Sequence, residues 1–531
     1  MKQFKKTKSV QFNVIILIAV LVFLNLVSLS MFHRFDLTKG KVYSLSKSSK
    51  NVVKQLPERL VIKAYYSKNL PAQYADARRY ANDILSEYQA YSRGKLRFEF
   101  LDPTGEEDLK DEARKYRIQP LRMQVAENDQ FVSREVYMGL VFLYRDKTET
   151  IPVVQGTQGL EYEITSTIKR ITSQGLKKIG LFAIEKEVAP MPGRPQREEY
   201  ATLKQLIGKN YEVRSIDLIS PIGSDIKALL FAGIEDSLTT TQLYNLDQFI
   251  MGGGNVLFFQ DRILADLQAG SAHAIKSNLF DLLNHYGIRL EQTLITDANC
   301  GQIQIQRQQG FFRTNTPINF PFFPLILKTE TDHIIAKDIE GIQLIFASKI
   351  DTLELPHNVN FTPLLWTSKN SGEVPGPNPK IDYTQFLQKD LKLALLDNPK
   401  TVSGIFTGSF ASFFAMMESH DEGFINSTSS AQLLVVSDSD IIKETGSGRV
   451  PGNIEFVLNS IDYMAGDEDL ISIRSRGSEF YPLKDVAPDM KKVWKWINIL
   501  LPSLAAIIIG LIIMNGYANR KKVLREIYEE K

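Results

Sequence analysis

Apolar residues form two long runs near the ends of the chain, and the run closer to the C-terminus is the clearer one. Residues 496–514 contain no charged side chain, Trp494 and Trp496 lie at one edge, and Tyr517 lies beyond the other edge, before a basic segment. At about 1.5 Å per residue, a helix of this length crosses the roughly 30 Å hydrocarbon layer of a membrane. Because aromatic and basic side chains favour the membrane interface, the pattern predicts a transmembrane helix at residues 493–516.

The other apolar run, residues 12–32, follows a tail at residues 1–11 that contains lysines and no acidic residue. Two interpretations fit this pattern, an uncleaved membrane anchor and a signal peptide. Ser28 and Ser30 are small residues at the spacing that cleavage requires. The apolar run nevertheless extends beyond the roughly 7 to 15 residues of a signal core. Its length favours the uncleaved anchor, and the signal peptide stays the alternative.

Two spans place both short tails on one side of the membrane, and short basic tails favour the cytoplasm. Lys491, Lys492 and Lys495 lie just before the second span, so the orientation depends mainly on the N-terminal tail. We therefore expect a protein of the inner (cytoplasmic) membrane with both termini in the cytoplasm. The large domains between the spans are then on the periplasmic side.

The first outer domain has the pattern of a mixed α/β unit. Residues 60–66 are apolar and β-prone, residues 74–91 have an apolar helical face, and residues 96–100 alternate as a strand. The full order of predicted elements is βαβαββα, which is similar to a thioredoxin-like arrangement. Ser46 is a good N-cap for a short helix that ends before Pro57, and Glu161 and Glu163 are either helix-terminus charges, which the pattern favours, or catalytic acids. No Cys-x-x-Cys follows the first strand, so the sequence excludes thiol redox chemistry there.

The second outer domain alternates short apolar strands with amphipathic helices. Strands are predicted at residues 178–183, 212–217, 228–231 and 255–259, and helices at residues 198–207 and 240–251. This alternation favours a parallel, doubly wound sheet. The predicted organisation is a cytoplasmic tail (1–11), an anchor (12–32), a mixed α/β domain (33–175), a parallel-sheet domain with insertions (176–485), a transmembrane helix (493–516) and a cytoplasmic tail (517–531).

Composition and charge narrow the classes of partner. The 531 residues are 44% hydrophobic and 23% charged, which is enough for two or three packed domains, and the net charge is only +2. Such a balance does not indicate nucleic-acid binding. The single cysteine, Cys300, excludes an internal disulfide.

The sequence contains no complete catalytic motif. It has no P-loop, no HExxH and no GxSxG, and the glycine run at residues 251–255 precedes a strand, as a helix C-cap and turn does. Cys300 is the one candidate thiol nucleophile, but the alternating GQIQIQRQ after it predicts a strand rather than a nucleophile elbow. We predict no catalytic residue, no cofactor and no metal.

Two weaker sets of candidate residues remain. Asp438 and Asp440 follow a buried strand, where they either hold a cation at the carboxyl edge of the sheet or cap the next turn. Ser503, Ala506 and Gly510 form a small-residue face on the second span, which either packs against a partner helix or faces lipid.

Several short motifs, in this order, resemble those of the gliding-motility-associated GldG family. They are RFDLT with YSLS (residues 34–46), QGLEYEITSTIKRIT (158–172), LVVSDSD (434–440), NIEFVLN (453–459) and DEDLISIR (467–474). The resemblance implies a flavodoxin-like or class I amidotransferase-like second domain, related to the GIFT domain of intraflagellar transport proteins. It also implies an ABC transporter with a separate permease and a separate cytoplasmic ATPase, and a role in gliding motility or linked secretion.

We therefore expect a noncatalytic, membrane-anchored auxiliary subunit of an ABC transporter complex. Two other classes stay open at this point. One is an anchored hydrolase or amidotransferase-like enzyme, and the other is a receptor that captures a saccharide or lipid outside the cytoplasm.

Overall fold

The computed structural model describes two compact units, within residues 1–478 and 479–531. The structure describes residues 16, 17, 20, 44–478 and 488–529. The exceptions within these ranges are residues 72–73, 128–129, 155, 157–158, 174, 185–197, 268, 310–311, 354, 357, 383, 387–389 and 417–421. The predicted N-terminal anchor thus lies almost wholly outside the described residues. The motif at residues 34–38 also lies outside them.

The first domain contains four helices and six strands among its described residues. They are α1 (Lys47–Lys54), β1 (Leu60–Tyr66), α2 (Ala75–Tyr91), β2 (Leu96–Leu101), α3 (Glu107–Lys115), β3 (Leu121–Glu127), β4 (Gln130–Val136), β5 (Met138–Tyr144), β6 (Lys147–Ile151) and α4 (Leu160–Thr172). Ser46 caps α1 as the sequence predicts, because its side chain accepts a hydrogen bond from the Ser49 N–H.

A four-stranded sheet in the order β2-β1-β5-β6 forms the centre of this domain. Strands β1 and β2 are parallel, whereas β5 is antiparallel to both β1 and β6. Tyr80, Ile84 and Tyr88 on α2 are buried on the face that the helical periodicity predicts. Ile164 and Ile168 on α4 belong to the same apolar cluster. The hairpin β3–β4 pairs separately from the four-stranded sheet.

The second domain begins with alternating strands and helices. They are β7 (Lys178–Phe182), α5 (Ala201–Ile207), β8 (Glu212–Ser215), β9 (Ile226–Ala232), α6 (Thr240–Met251) and β10 (Asn255–Phe259). The glycine run lies between α6 and β10, where the Gly252 N–H donates to the Gln248 carbonyl and Gly253 has a φ of +85°. It is therefore the helix C-cap and turn that the sequence predicts.

A long insertion of mainly short antiparallel pairs follows β10. Its elements are β11 (Ile263–Asp266), β12 (Ser271–Ala274), α7 (Leu279–His285), β13 (Ile288–Leu290), β14 (Thr293–Asp297), β15 (Cys300–Gln309), β16 (Phe312–Lys328), β17 (Glu340–Gln343), β18 (Ile350–Thr352), β19 (Val359–Trp366), β20 (Ser371–Pro375) and α8 (Leu391–Ala394). The chain then returns to the centre of the domain through β21 (Thr401–Gly408), β22 (Ala431–Val436), α9 (Pro451–Met464) and α10 (Glu468–Ser478).

The central sheet has seven strands in the order β19-β21-β22-β10-β9-β7-β8. The five strands from β22 to β8 are parallel, but β21 is antiparallel to both β22 and β19. The prediction of a parallel sheet is therefore wrong at one edge. The reason is that β19 belongs to the long insertion and β21 directly follows it, where the sequence contains no regular alternation of strands and helices.

Apolar side chains cover both faces of this sheet. Leu203 of α5 and Phe456 and Ile461 of α9 pack on one face. Leu246 of α6 and Leu283 of α7 pack on the other face. The layers are thus helix, sheet, helix, as the strand and helix alternation predicts.

The second unit contains α11 (Pro488–Glu529), a helix of 42 residues. Trp494 and Trp496 near its start are 55% and 60% exposed. No heavy atom lies within 4 Å of the position that a Cβ on Gly510 would take, and the side chains of Ser503 and Ala506 lie outside the described part of the chain.

Taken over the residues that the structure describes, none of the helices combines the length and the apolar character that crossing a membrane requires. The predicted spans at residues 12–32 and 493–516 are therefore not confirmed and stay predictions.

Candidate functional site

The carboxyl edge of the central sheet brings three acidic side chains and one lysine together. Ligands of doubly wound proteins bind at this edge, outside the carboxyl ends of the strands. Asp261 follows β10, while Asp438 and Asp440 follow the neighbouring parallel strand β22. Lys443 comes one turn later, after the 3-10 turn Asp440–Ile442.

Both carboxylate oxygens of Asp438 accept hydrogen bonds from backbone N–H groups. One oxygen accepts the Ile345 N–H at 2.7 Å, and the other accepts the Asp440 N–H at 2.8 Å. The side chain is fully buried. Burial and the nearby carboxylates of Asp440 and Asp261 raise its pKa well above the ordinary value for aspartate. Asp438 therefore holds the insertion against the end of β22.

Asp261 is bound to the same turn from the other side. It accepts the Ser439 N–H at 2.8 Å and also the Ser439 hydroxyl. Lys443 Nζ lies 3.3 Å from Asp440 Oδ1 and 4.0 Å from Asp261 Oδ2. Burial raises the pKa of Asp261 to about 6, although the positive charge of Lys443 acts in the opposite direction.

The two predicted ligand candidates, Asp438 and Asp440, thus lie in one cluster with Asp261, which the sequence analysis did not single out. Its position directly after a strand, in the segment FFQD, is the signal that would have found it. No group of three or more histidine, cysteine, aspartate or glutamate residues able to hold a metal ion occurs among the described residues.

Cys300 lies at the start of the antiparallel strand β15 and not at a strand-to-helix elbow. The side chain is half-buried. Burial raises the pKa of its thiol to about 11. Since the thiolate is the nucleophile, little of the reactive form is present near neutral pH.

A cleft of about 350 Å³ lies between the end of β16 and the end of the edge strand β19. We call it the Trp366 cleft; its lining includes Leu325, Leu327, Lys328, Leu364, Trp366 and Ser368. Its volume is within the range of small-molecule sites, and it combines an aromatic ring with hydroxyl and ammonium groups. This cleft was not predicted from the sequence, because its two walls are formed by segments that lie far apart along the chain.

Two of the motifs, residues 158–172 and 467–474, meet at the contact between the two domains, which we call the interdomain junction. Arg474 Nη2 lies 2.6 Å from Asp462 Oδ2 and donates to the Tyr162 hydroxyl at 2.8 Å. Its guanidinium also lies over the Tyr162 ring, 4.7 Å from the centroid. Tyr162 belongs to α4 of the first domain, whereas Asp462 and Arg474 belong to the end of the second.

A second carboxylate, Asp467, extends the interdomain junction. It binds Lys169 of α4 at 2.9 Å and Lys177 of the linker at 2.8 Å. The Tyr211 hydroxyl donates to Asp462 at 2.7 Å and to Asp467 at 3.2 Å. Burial raises the pKa of Asp462 although Arg474 lowers it, whereas the two lysines hold the pKa of Asp467 below its ordinary value against the effect of burial.

The motif at residues 158–172 also contacts the end of the YSLS motif and the segment that follows it inside the first domain. The Ser46 N–H donates to Glu161 Oε1 at 2.7 Å, and the hydroxyls of Ser49 and Thr165 are 2.9 Å apart. Glu161 and Glu163 lie in the first turn of α4, as predicted for charges at a helix terminus. These contacts therefore stabilise the first domain and hold the two domains together.

Comparisons with known proteins give two family models, one relative and one solved structure that are similar to parts of this chain. Residues 176–460, more than half of the chain, match the family described as "ABC-type uncharacterized transport system", and residues 39–143 match a domain of unknown function. An uncharacterized protein of Borreliella burgdorferi is 24% identical over 474 residues, which covers 86% of each chain. A solved structure, "mmIFT52 N-terminal domain", is 12% identical with a TM-score of 0.31 and covers 54% of this chain and 97% of its own.

Proposed function

The chain belongs to the ABC-type uncharacterized transport system family, and on this premise we propose that it is a noncatalytic auxiliary subunit of an ABC transporter complex. The observation that carries the proposal is the family match over the whole central sheet and most of its insertion, residues 176–460. Family membership supports an association with transport. The auxiliary role without catalysis is our inference from the carboxylate cluster and the interdomain junction.

Two features of the structure support a role without catalysis. The carboxylates of Asp261 and Asp438 at the carboxyl edge of the sheet accept hydrogen bonds from neighbouring chain segments, so these oxygens stabilise the fold. The interdomain junction fixes the first domain on the second through Tyr162, Asp462 and Arg474. Such an arrangement suits a rigid body that binds partners.

The finer parts of the proposal come from the motif resemblance. We propose that the partners are a separate membrane permease and a separate cytoplasmic ATPase, and that the complex acts in gliding motility or linked secretion. The motifs YSLS, LEYEIT, NIEFVLN and DEDLISIR support this proposal. Residues in and next to these motifs are far apart in the sequence but contact one another in the structure.

The membrane location is a further part of the proposal. We propose that residues 12–32 and 493–516 anchor the protein in the inner membrane, with both termini in the cytoplasm and the domains on the periplasmic side. The apolar runs and the basic N-terminal tail support it. Reporter fusions that are active only in the cytoplasm should be inactive when inserted at Gly193 or Gly372, and activity at either position would refute this topology.

Strand order supports a proposal for each domain fold. Four strands in the order β2-β1-β5-β6, with only the first pair parallel, agree with a thioredoxin-like domain. In the second domain the parallel strands follow the order second, first, third, fourth, fifth along the sheet, which is the flavodoxin-like order. Fold does not imply activity, so these folds add no enzymatic function.

The test is purification of the full-length protein from its host in a mild detergent, with identification of the proteins that bind to it. We expect a permease and an ATPase of the ABC type at stable stoichiometry. A matched sample carrying Arg474→Met, which disrupts the interdomain junction, should retain less of both. Recovery of neither protein from wild type would refute the auxiliary role.

A second candidate function, a receptor for a saccharide or lipid, is favoured by the Trp366 cleft. Half-buried aromatic rings next to hydroxyl groups bind the apolar and polar faces of such ligands. Binding that is lost in Trp366→Ala and retained in Trp496→Ala, which alters an exposed ring in the other unit, would support this function. Equal binding by both variants would refute a role for the cleft.

A further inference from the structure

A pocket of about 450 Å³ lies in the first domain, apart from the carboxylate cluster and the Trp366 cleft. We call it the basic pocket. It opens between the loop after β1, the start of α2 and the end of β2, and its lining includes Lys68, Leu70, Arg78, Arg79, Asn82 and Phe100. The volume is in the range of sites that hold small organic molecules.

Arg78 is the central cation of the basic pocket. Its guanidinium carbon lies 5.3 Å from the centre of the Phe100 ring, so the side chain packs against an aromatic face. The Nε atom is buried and has no hydrogen-bond partner among the described residues. Leaving such a donor unpaired costs free energy. The Nε–H of Arg78 is therefore a donor that the described fold does not use, on a guanidinium that lines the pocket.

Two acidic residues near the basic pocket have partners of their own, and one of those partners, Arg79, also lines the pocket. Asp76 pairs with Arg79 at 3.0 Å on the exposed surface of α2. Asp102 accepts the backbone N–H groups of Lys68 at 3.0 Å and Thr104 at 2.9 Å, so both of its oxygens hold the loop. Among the described residues, no acidic side chain lines the pocket. Since α2 also begins here, the positive end of its helix dipole adds to the same field.

We propose that the basic pocket binds the phosphate group of a small phosphate ester, either free in solution or as the headgroup of a phospholipid. An arginine, a lysine and an amide side chain supply several donors, and a phosphate group offers tetrahedrally arranged acceptor oxygens with at least one negative charge. Phe100 and Leu70 provide an apolar wall for the organic part of the ester. This site does not depend on the transporter role and would exist without it.

Calorimetric titration of the full-length protein in dodecyl maltoside tests the proposal. The probes are glycerol 3-phosphate in solution and phosphatidylglycerol in mixed micelles, each at low salt. We expect at least one of them to bind with a Kd on the order of 1 mM or tighter. Binding of the soluble ester alone assigns a free ligand, and binding of the lipid alone assigns a headgroup. Binding of neither would overturn the proposal.

Variants locate the site. Lys68→Gln combined with Arg78→Gln should weaken binding by roughly tenfold or more, because charge-assisted hydrogen bonds are the strong ones. Arg122→Gln is the matched control, since Arg122 is an exposed arginine of the β3 hairpin that pairs with Glu135. Arg78→Lys keeps the positive charge but loses the planar guanidinium with its several N–H donors, so we expect an affinity between those of wild type and the double variant. This single variant also tests the site if the double variant unfolds. Unchanged affinity in Arg78→Lys and in the double variant would overturn the proposal.

Discussion

Arg474 and Asp462 form a buried ion pair at 2.6 Å, with side chains that are 12% and 2% exposed. Removing one partner of such a pair leaves the other charge buried, which costs about 3 to 5 kcal/mol. We therefore expect Arg474→Ala to lower the free energy of unfolding by this amount in a denaturant titration. Arg145→Ala is the control, because Arg145 pairs with Glu58 on the exposed surface and its removal should change little. Equal effects of the two substitutions would contradict the importance of the interdomain junction.

Gly452→Ala should destabilise the second domain. A Cβ at this position would lie 2.4 Å from the Glu340 carbonyl oxygen and 2.8 Å from that of Gly341, so α9 can pack on β17 only through a glycine. Forcing a methyl group into a packed contact costs about 1 to 3 kcal/mol. Thermal unfolding measures the effect. Gly175→Ala provides the comparison, since no heavy atom lies within 4 Å of its added methyl; an equal loss in both would refute the argument.

Asp261 should make stability fall as the pH rises from about 4 to about 6. Its pKa is about 6 in the folded protein and 3.8 as the ordinary value, so the folded state binds the proton more tightly in this window. The contribution of the protonated Asp261 carboxyl to the free energy of unfolding is complete below pH 4 and lost above pH 6. Its full size is on the order of 3 kcal/mol. The difference between wild type and Asp261→Asn in unfolding free energy should follow this course. A difference that does not vary with pH would show that Asp261 does not titrate there.

Cys300 should react slowly with thiol reagents and be dispensable for function. Its thiol pKa of about 11 leaves little thiolate at pH 7. We expect the rate of alkylation by iodoacetamide to keep rising from pH 8 to pH 10, and Cys300→Ser to support normal transport-linked function. Loss of function at normal protein abundance would restore the enzyme hypothesis.

The small-residue face of α11 gives a prediction for partner binding. Replacing Ala506 and Gly510 together by Leu raises the hydrophobicity of the predicted span, so insertion should be preserved. If a permease helix packs closely there, the change weakens association by about 1 to 2 kcal/mol. The measurement is the amount of permease that copurifies at equal membrane abundance. Full recovery would instead place the transporter contact on the outer domains.

Elements with strong local signals could be predicted from the sequence. The bounds of α6 and β10 agree with their predicted bounds, and the Ser46 N-cap is confirmed, because capping and side-chain periodicity depend on neighbouring residues. The edge strands β19 and β21 were missed because their pairing depends on segments far away in sequence. The same is true of Arg78 in the basic pocket, since contacts between distant segments create that site, whereas Asp261 has a local signal in its position after β10.

The position of β22 also sets an order of events during synthesis. This strand pairs with β10, yet the whole insertion is translated between the two. At about 5 to 20 residues per second, roughly ten to thirty seconds pass before β22 leaves the ribosome. Throughout that interval β22 is missing beside Val256, Leu257 and Phe258, which are fully buried in the finished protein. A chain that stops within the insertion therefore retains a complete first domain but leaves one edge of the apolar strand β10 unpaired, which makes the fragment a substrate for chaperones and proteases.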